Sequence, residues 1–276
     1  EASSILARVT SATLRAVDDL FPEDLGSAAE DEPLAAELDG AWMPVGSPET
    51  GYIVSVDNER LLGFARSRGR VVRMEQGIGD FVVEGRPLAS LQGSEPPGTR
   101  DAQDLATCYS FDRQRTVEQD AGFGVQQIVD IAEKALSPGI NDSTTAVMCI
   151  DRLTQVLAAL ARRRIASPCR RDGGALRVIA AGTTFAKLAD LAYGALRDQG
   201  RSNRAVLARL LWSMGEVGAL TIDPGRRQVL ARHAALLEHA LAAADARFLH
   251  VGAGPRSGTS SGKESACPST EPKSAN

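Results

Sequence analysis

The chain has 276 residues, 43% of them hydrophobic, and a formal net charge of −4. That length holds one large domain or two small ones, and the apolar content suits a packed core rather than a disordered chain. The slightly acidic balance excludes a generally nucleic-acid-binding protein, and aromatics at 4% leave the core to aliphatic residues and alanine.

Ile5, Leu6, Val9, Leu14, Val17 and Leu20 fall at near-helical spacing. They predict a helix over residues 1–20, ended by Phe21-Pro22. Because Glu1 opens an already helix-like segment, a natural start further upstream is expected. Residues 23–39 carry Glu23, Asp24, Glu30, Asp31, Glu32, Glu37 and Asp39. We expect an exposed acidic connection, so that residues 1–44 form an N-terminal helix and its linker.

From Val45 the period changes to that of strands. Gly51–Asp57 and Arg70–Met74 read as strands, with a turn or short helix over Leu61–Ser67. Gly79-Asp80 and Gly85 bracket a further strand, at tight turns where φ must be positive. The pattern Gly79-Asp80-x-Val82-x-x-Gly85-x-Pro87-Leu88, preceded by Gly51-x-Ile53-x-x-Val56-Asp57, resembles the half-barrels of lipoyl and biotinyl carrier domains. A carrier needs a lysine at its hairpin tip, and residues 45–92 contain none. The resemblance therefore implies a cofactor-free spacer or assembly module, like the hybrid motifs of membrane-associated adaptors.

Residues 93–104, with Glu95-Pro96-Pro97-Gly98, read as a linker to a helical domain over 105–250. Cys108–Phe111 suggests a short strand. A helix follows over Gln119–Leu136, with Val125, Ile128, Ile131, Ala132, Ala135 and Leu136 on one face and Phe123-Gly124 in its first turn. Pro138 stops it, Gly139 permits the turn, and Asn141 or Asp142 caps a second helix over 143–165. So short a loop predicts an antiparallel helix hairpin. Ala175–Ala181 reads as a strand, and helices are expected near 184–199, 202–218 and 225–247. The Gly-, Ser-, Thr- and Pro-rich tail over 251–276 is expected to be disordered. The fold class is α+β: a small lipoyl-like β half-barrel module followed by a mainly helical domain built on the hairpin.

Cys108, Cys149, Cys169 and Cys267 form no CxxC pair, and His233, His239 and His250 lie apart from them. Neither a zinc site nor a disulfide framework is indicated, and a reducing compartment fits. No run approaches 18 uninterrupted apolar residues, so no membrane span is expected within the chain, nor a signal peptide. Arg162-Arg163-Arg164 and Arg170-Arg171 read as a solvated helix end, with an anionic-lipid patch as the alternative.

Asp120, Asp130, Asn141, Asp142 and Asp151 are the candidate ligand or metal residues. A hairpin that gathers them offers oxygen ligands suited to Mg²⁺ or Ca²⁺. The plainer reading makes Asp120 and Asp142 helix caps and leaves Asp130 in solvent. Asp151, among Val147, Met148 and Thr154, is expected to be partly buried and paired with Arg115 or Arg152. Ser143, Thr144 and Thr145 at a helix start suggest phosphate, which Asp142 would repel. The glycines of Gly77-Ile78-Gly79 serve a hairpin, since no helix follows them as a nucleotide loop requires. His233 and His239, six residues apart, are expected at the surface.

Several blocks carry a family resemblance: Asp18–Pro22, Gly51–Asp57, Gly79–Leu88, Arg115 with Gln119–Gly124, Ala135–Asp142 and Cys149–Leu153. Together they resemble the bacterial predicted membrane proteins known as domain of unknown function 2254, over about residues 1–250. Members of that family typically carry several transmembrane helices ahead of this region. The resemblance implies the C-terminal portion of a bacterial inner-membrane protein, attached through an upstream segment and facing the cytoplasm. We expect a non-enzymatic assembly or regulatory domain, homo-oligomeric, without cofactor and without nucleic acid. The alternative is a transporter, channel or enzyme component with a carboxylate-lined site at the hairpin.

Overall fold

The computed structural model describes residues 2–20, 35–117, 120–163, 165 and 168–251. The expected helix stop at Phe21-Pro22, most of the acidic connection, Gln119, Arg164 and the tail after Val251 lie outside these residues. In chain order the elements are α1 (Ala2–Leu20), α2 (Ala35–Leu38), β1 (Trp42–Gly46), β2 (Gly51–Val56), α3 (Asn58–Arg68), β3 (Val72–Met74), β4 (Phe81–Val82) and β5 (Pro87–Gln92). There follow α4 (Thr99–Ala106), β6 (Tyr109–Asp112), α5 (Ala121–Leu136), α6 (Ser143–Arg162), β7 (Cys169–Asp172), β8 (Ala175–Ile179), α7 (Phe185–Gln199), α8 (Arg204–Leu220) and α9 (Pro224–Val251). The class is mixed α+β.

The strands form two small sheets, ordered β1-β5-β3-β8-β7 and β4-β2-β6. All pairings are antiparallel except that of β3 with β8. This departs from a half-barrel closed within residues 45–92: β6 completes the smaller sheet, and the β7–β8 pair, from beyond residue 168, extends the larger one. The expected linker over 93–104 also differs. Gly98 caps α4, and Leu105 at its end is buried, so the Pro-Pro-Gly signal marks the start of a helix that packs. Two further strands escape sequence reading. β1 is an edge strand containing Pro44, a position where a missing N–H is tolerated. β7 is a charged edge, joined to β8 by Gly173-Gly174, both at positive φ as a two-residue hairpin turn requires. Arg170 and Arg171 therefore sit on a strand rather than at a helix end, and Arg171 grips Glu37 through two bonds of 2.6 and 2.8 Å.

Buried apolar residues divide into two cores. One gathers Val45, Ile53, Leu61, Val72, Leu88, Leu91 and Val178 between the sheets, α3 and α4. The other joins α1 and α5 to α9. α6 is the centre of the helical core, in contact with α1, α5, α7 and α8. By length and composition alone α6 could cross a membrane. Here Ile150, Leu153, Val156, Leu157 and Leu160 are fully buried against other helices, each worth about 1.5–3 kcal/mol of burial. Its last turn ends on Arg226 of α9, whose guanidinium donates to the carbonyls of Leu160, Ala161 and Arg163 at 2.9–3.2 Å. A cation there satisfies carbonyls left free at the helix end and meets the negative end of the helix dipole.

The helical core is closely packed where α1 meets α5. A Cβ at Gly124 would collide with the Thr13 side chain of α1, so glycine sets the distance between the two helices. Gly124→Ala should lower stability by about 1–3 kcal/mol through overpacking. Thr13→Ala in the same chain should return part of that loss, read by chemical denaturation of the two single variants and the double.

Candidate functional site

α5 and α6, the two arms of the stretch richest in motif residues, meet through residues 137–142. Ser137 is extended, as a residue before proline must be. The left-handed residue of the turn is Asn141 at φ 48°, rather than Gly139, whose Cβ position faces open space. The Asn141 and Asp142 amides donate to the carbonyls of Ser137 and Ala135 at 2.9 and 2.7 Å. Asp142 is the cap of α6: it accepts from the Thr145 amide at 3.0 Å and the Thr145 hydroxyl at 2.6 Å. Those hydrogen bonds hold its carboxyl below the usual carboxylate range. The phosphate reading has no room here, because the Thr145 hydroxyl is committed to Asp142 and Ser143 accepts from Asn203, the cap of α8.

The opposite end of α5 is different in kind. Asp120 is 6% exposed. Its Oδ1 accepts from the Phe123 amide at 3.0 Å, capping the helix. Its Oδ2 receives Nε and Nη2 of Arg115 at 2.9 and 2.5 Å. The Arg115 guanidinium also lies over the Phe123 ring, 4.9 Å from its centre. Onto this pair closes the turn before β4. Gly79 sits at φ 90°, and a Cβ there would collide with the Asp120 carboxylate. Its amide donates to Ile53 at 2.8 Å, while the Asp80 carboxylate accepts from the Gly77 amide at 2.7 Å. Beyond this turn, Gly85 at φ 78° donates its amide to the Ser47 carbonyl. Gly79, Asp80 and Phe123 thus serve one joint, where a β turn rests on the first turn of α5, while Gly124 packs on α1 instead.

The remaining candidates do not converge. Asp120 and Asp142 flank the 16 residues of α5, which puts them about 24 Å apart. Asp130 is exposed and accepts from Gln126, one turn away, at 2.6 Å. Asp151 pairs at the half-exposed edge of α6 with Arg209 of α8 at 2.5 Å, where neither Arg115 nor Arg152 is its partner, and that arginine stacks on Trp212 at 3.7 Å. Among the described residues no group of three His, Cys, Asp or Glu side chains could hold a metal ion. Beside the joint a cavity of about 190 Å³ has a mixed lining: Val56, Met74 and Ile78 on one hand, Asn58, Asp120 and Arg170 on the other. It is smaller than the roughly 300–1,000 Å³ of ordinary ligand pockets.

A polar cluster in the helical core was not anticipated. His233, expected at the surface, is 3% exposed and bonds Asp190 through Nε2 at 2.8 Å; His239 is exposed. The signal was present in the spacing: Leu230, His233 and Leu237 share one helical face. Nearby, Ser213 Oγ lies 2.7 Å from Thr154 Oγ1 and 3.0 Å from the Tyr193 hydroxyl. Burial pushes the Tyr193 hydroxyl far above its ordinary range, so it stays a hydrogen-bond donor. Thr154, Ser213 and Tyr193 tie α6, α8 and α7 together within the core, and His233 ties α9 to α7 through Asp190, whose carboxylate is exposed.

The described polar groups between layers, Asp120 with Arg115 and Ser213 with Thr154 and Tyr193, join one element to another. The chain belongs to a family of predicted membrane proteins, domain of unknown function 2254, whose model matches residues 1–216. It is 31% identical over 243 residues to an uncharacterised protein of Mycobacterium tuberculosis and 30% identical to one of Mycobacterium bovis, in each case across 86% of this chain. The chain spans about half the length of these relatives, 46% in each. No solved structure matches it.

Two outcomes test this site. Asp120→Ala removes a helix cap and strands Arg115, and should cost roughly 2–4 kcal/mol. Gly79→Ala should cost about 2 kcal/mol or more, while Gly139→Ala, with open space and no positive φ, should stay within about 0.5 kcal/mol. Urea denaturation of the three variants reads this ranking. The second outcome concerns acid. Burial sets the folded-state pKa of His233 below its ordinary 6.5. The unfolded chain therefore takes up this proton first. The contribution is complete above the unfolded value and is lost as pH falls below it towards the folded pKa. The melting temperature should fall more steeply below pH 6.5 in the wild-type chain than in His233→Gln.

Proposed function

We propose that this chain is the cytoplasm-facing assembly or regulatory part of a bacterial integral membrane protein, non-enzymatic and homo-oligomeric. One observation carries the reading. Asp120, Asp130, Asp142 and Asp151, the carboxylates that would build a site at the α5–α6 pair, are each engaged by a partner within the chain. The stretch richest in functional-looking residues is spent on holding helices and a sheet in fixed relation, which is what a module that transmits position between subunits needs. Membership in a family of predicted membrane proteins supports the location. So does a chain that spans less than half of its relatives, which leaves room for membrane segments. Cys108, Cys149 and Cys169 are buried and, among the described residues, none is joined in a disulfide, as suits a reducing compartment. Arg171 and Arg163 are held by Glu37 and Asp18, which weakens a lipid-facing arginine patch.

The test has two arms. A fluorescent protein fused after Asn276 in the full-length membrane protein should fluoresce in bacterial cells, and alkaline phosphatase at the same point should be inactive; the reverse pattern overturns the cytoplasmic side. Thermal melts of the chain with Mg²⁺, Ca²⁺ or Mn²⁺ should show no shift dependent on Asp130 and Asp151. A rise of several degrees that Asp130→Ala or Asp151→Ala abolishes would restore the metal-site reading.

A further inference from the structure

We propose that the groove between α8 and α9 is the dimer interface, filled by α9 of a second copy of this chain running antiparallel to the first. The proposal rests on the homo-oligomeric reading above and names its surface. The groove, about 390 Å³, is walled by Arg227, Ala231, Ala234 and Glu238 of α9, with Gly215 and Gly218 of α8 on its other side. The four α9 residues stand at i, i+4, i+7 and i+11, one stripe along the helix. Their order is self-complementary: a cation, two alanines, an anion. Set antiparallel about the point midway between the alanines, the stripe places each Arg227 against the partner's Glu238 and each Ala231 against the partner's Ala234. A two-fold axis demands that kind of pairing.

Two further observations favour a second helix over an open surface. A Cβ at Gly215 would meet nothing within 4 Å, and one at Gly218 would make only an ordinary contact of 3.7 Å with Leu230. The chain's own packing therefore does not require glycine at either position, although glycine within a helix is unfavourable by about 1 kcal/mol relative to alanine. Close approach of another backbone does require it. Glu238 is exposed and has no ion pair among the described residues, which leaves its charge available. Arg227 donates Nε to the Thr221 carbonyl at 3.0 Å.

Sedimentation velocity on the full 276-residue chain over a concentration series tests the interface. Glu238→Arg sets two arginines face to face at both ends of the stripe and should weaken dimerisation at least tenfold. Adding Arg227→Glu should restore it to within about threefold. Gly215→Leu, which the monomer accommodates in open space, should weaken dimerisation at least tenfold while leaving the circular dichroism spectrum unchanged. A dimer indifferent to both the charge reversal and Gly215→Leu places the interface elsewhere and overturns this inference, with the assembly reading intact. A wild-type chain that stays monomeric at all concentrations overturns both.

Discussion

The Arg115–Asp120 pair is the constraint on which the two halves of the molecule depend. A carboxylate as buried as Asp120 must be fully bonded or it destabilises the fold. It receives three N–H donors: the Phe123 amide and two nitrogens of Arg115. Those bonds fix where α5 begins and hold the segment leading out of β6 against it. Because the carboxylate also occupies the space a side chain would need at residue 79, only glycine lets the turn before β4 close down on it. One buried charge thus determines a helix start, the path of the preceding chain, and the identity of a residue some forty positions earlier.

The helical core shows a second economy. With few aromatic rings available, the helices approach closely through small residues, as Gly124 of α5 does against Thr13 of α1. Close approach through small side chains leaves less apolar area per contact to select one arrangement over another. Buried hydrogen bonds supply that selection. Thr154, Ser213 and Tyr193 form a chain across three helices, and a slip of one turn in any of them would leave hydroxyls unpaired at a cost of about 1–3 kcal/mol each. The His233–Asp190 bond does the same for α9, with the difference that its value depends on pH.

The local grammar of this fold was readable from sequence, and its non-local pairing was not. Asp120 and Asp142 announce themselves as caps by residue type and position, and α5 and α6 begin within two residues of expectation. Asn141 shows the limit of that reading: asparagine and glycine both tolerate φ > 0, and only the path of the chain decides that residue 141 turns left-handed while Gly139 does not. β7 escaped because Cys-Arg-Arg-Asp has the composition of a solvated segment. It is a strand because β8 beside it pairs in parallel with β3, about a hundred residues earlier, and no periodicity within either segment encodes that neighbour. Gly173-Gly174 was the local sign of the hairpin. Asp151 was read as a residue needing a partner, but the partner came from α8, on a helix whose packing angle no spacing rule supplies.

The first turn of α5 is where these constraints meet. Within five residues it carries Asp120, which seats the β turn, Phe123, which carries the Arg115 guanidinium, and Gly124, which admits α1. A displacement of α1 relative to α5 would have to open the Gly124–Thr13 contact. A displacement of the sheet would have to break a buried ion pair. Both contacts oppose relative displacement of α1, α5 and the smaller sheet. A catalytic site draws its power from polar groups left free to meet a substrate. Here Asp120 is spent on a helix cap and an ion pair, and it is this use of the carboxylate that the proposed assembly role rests on.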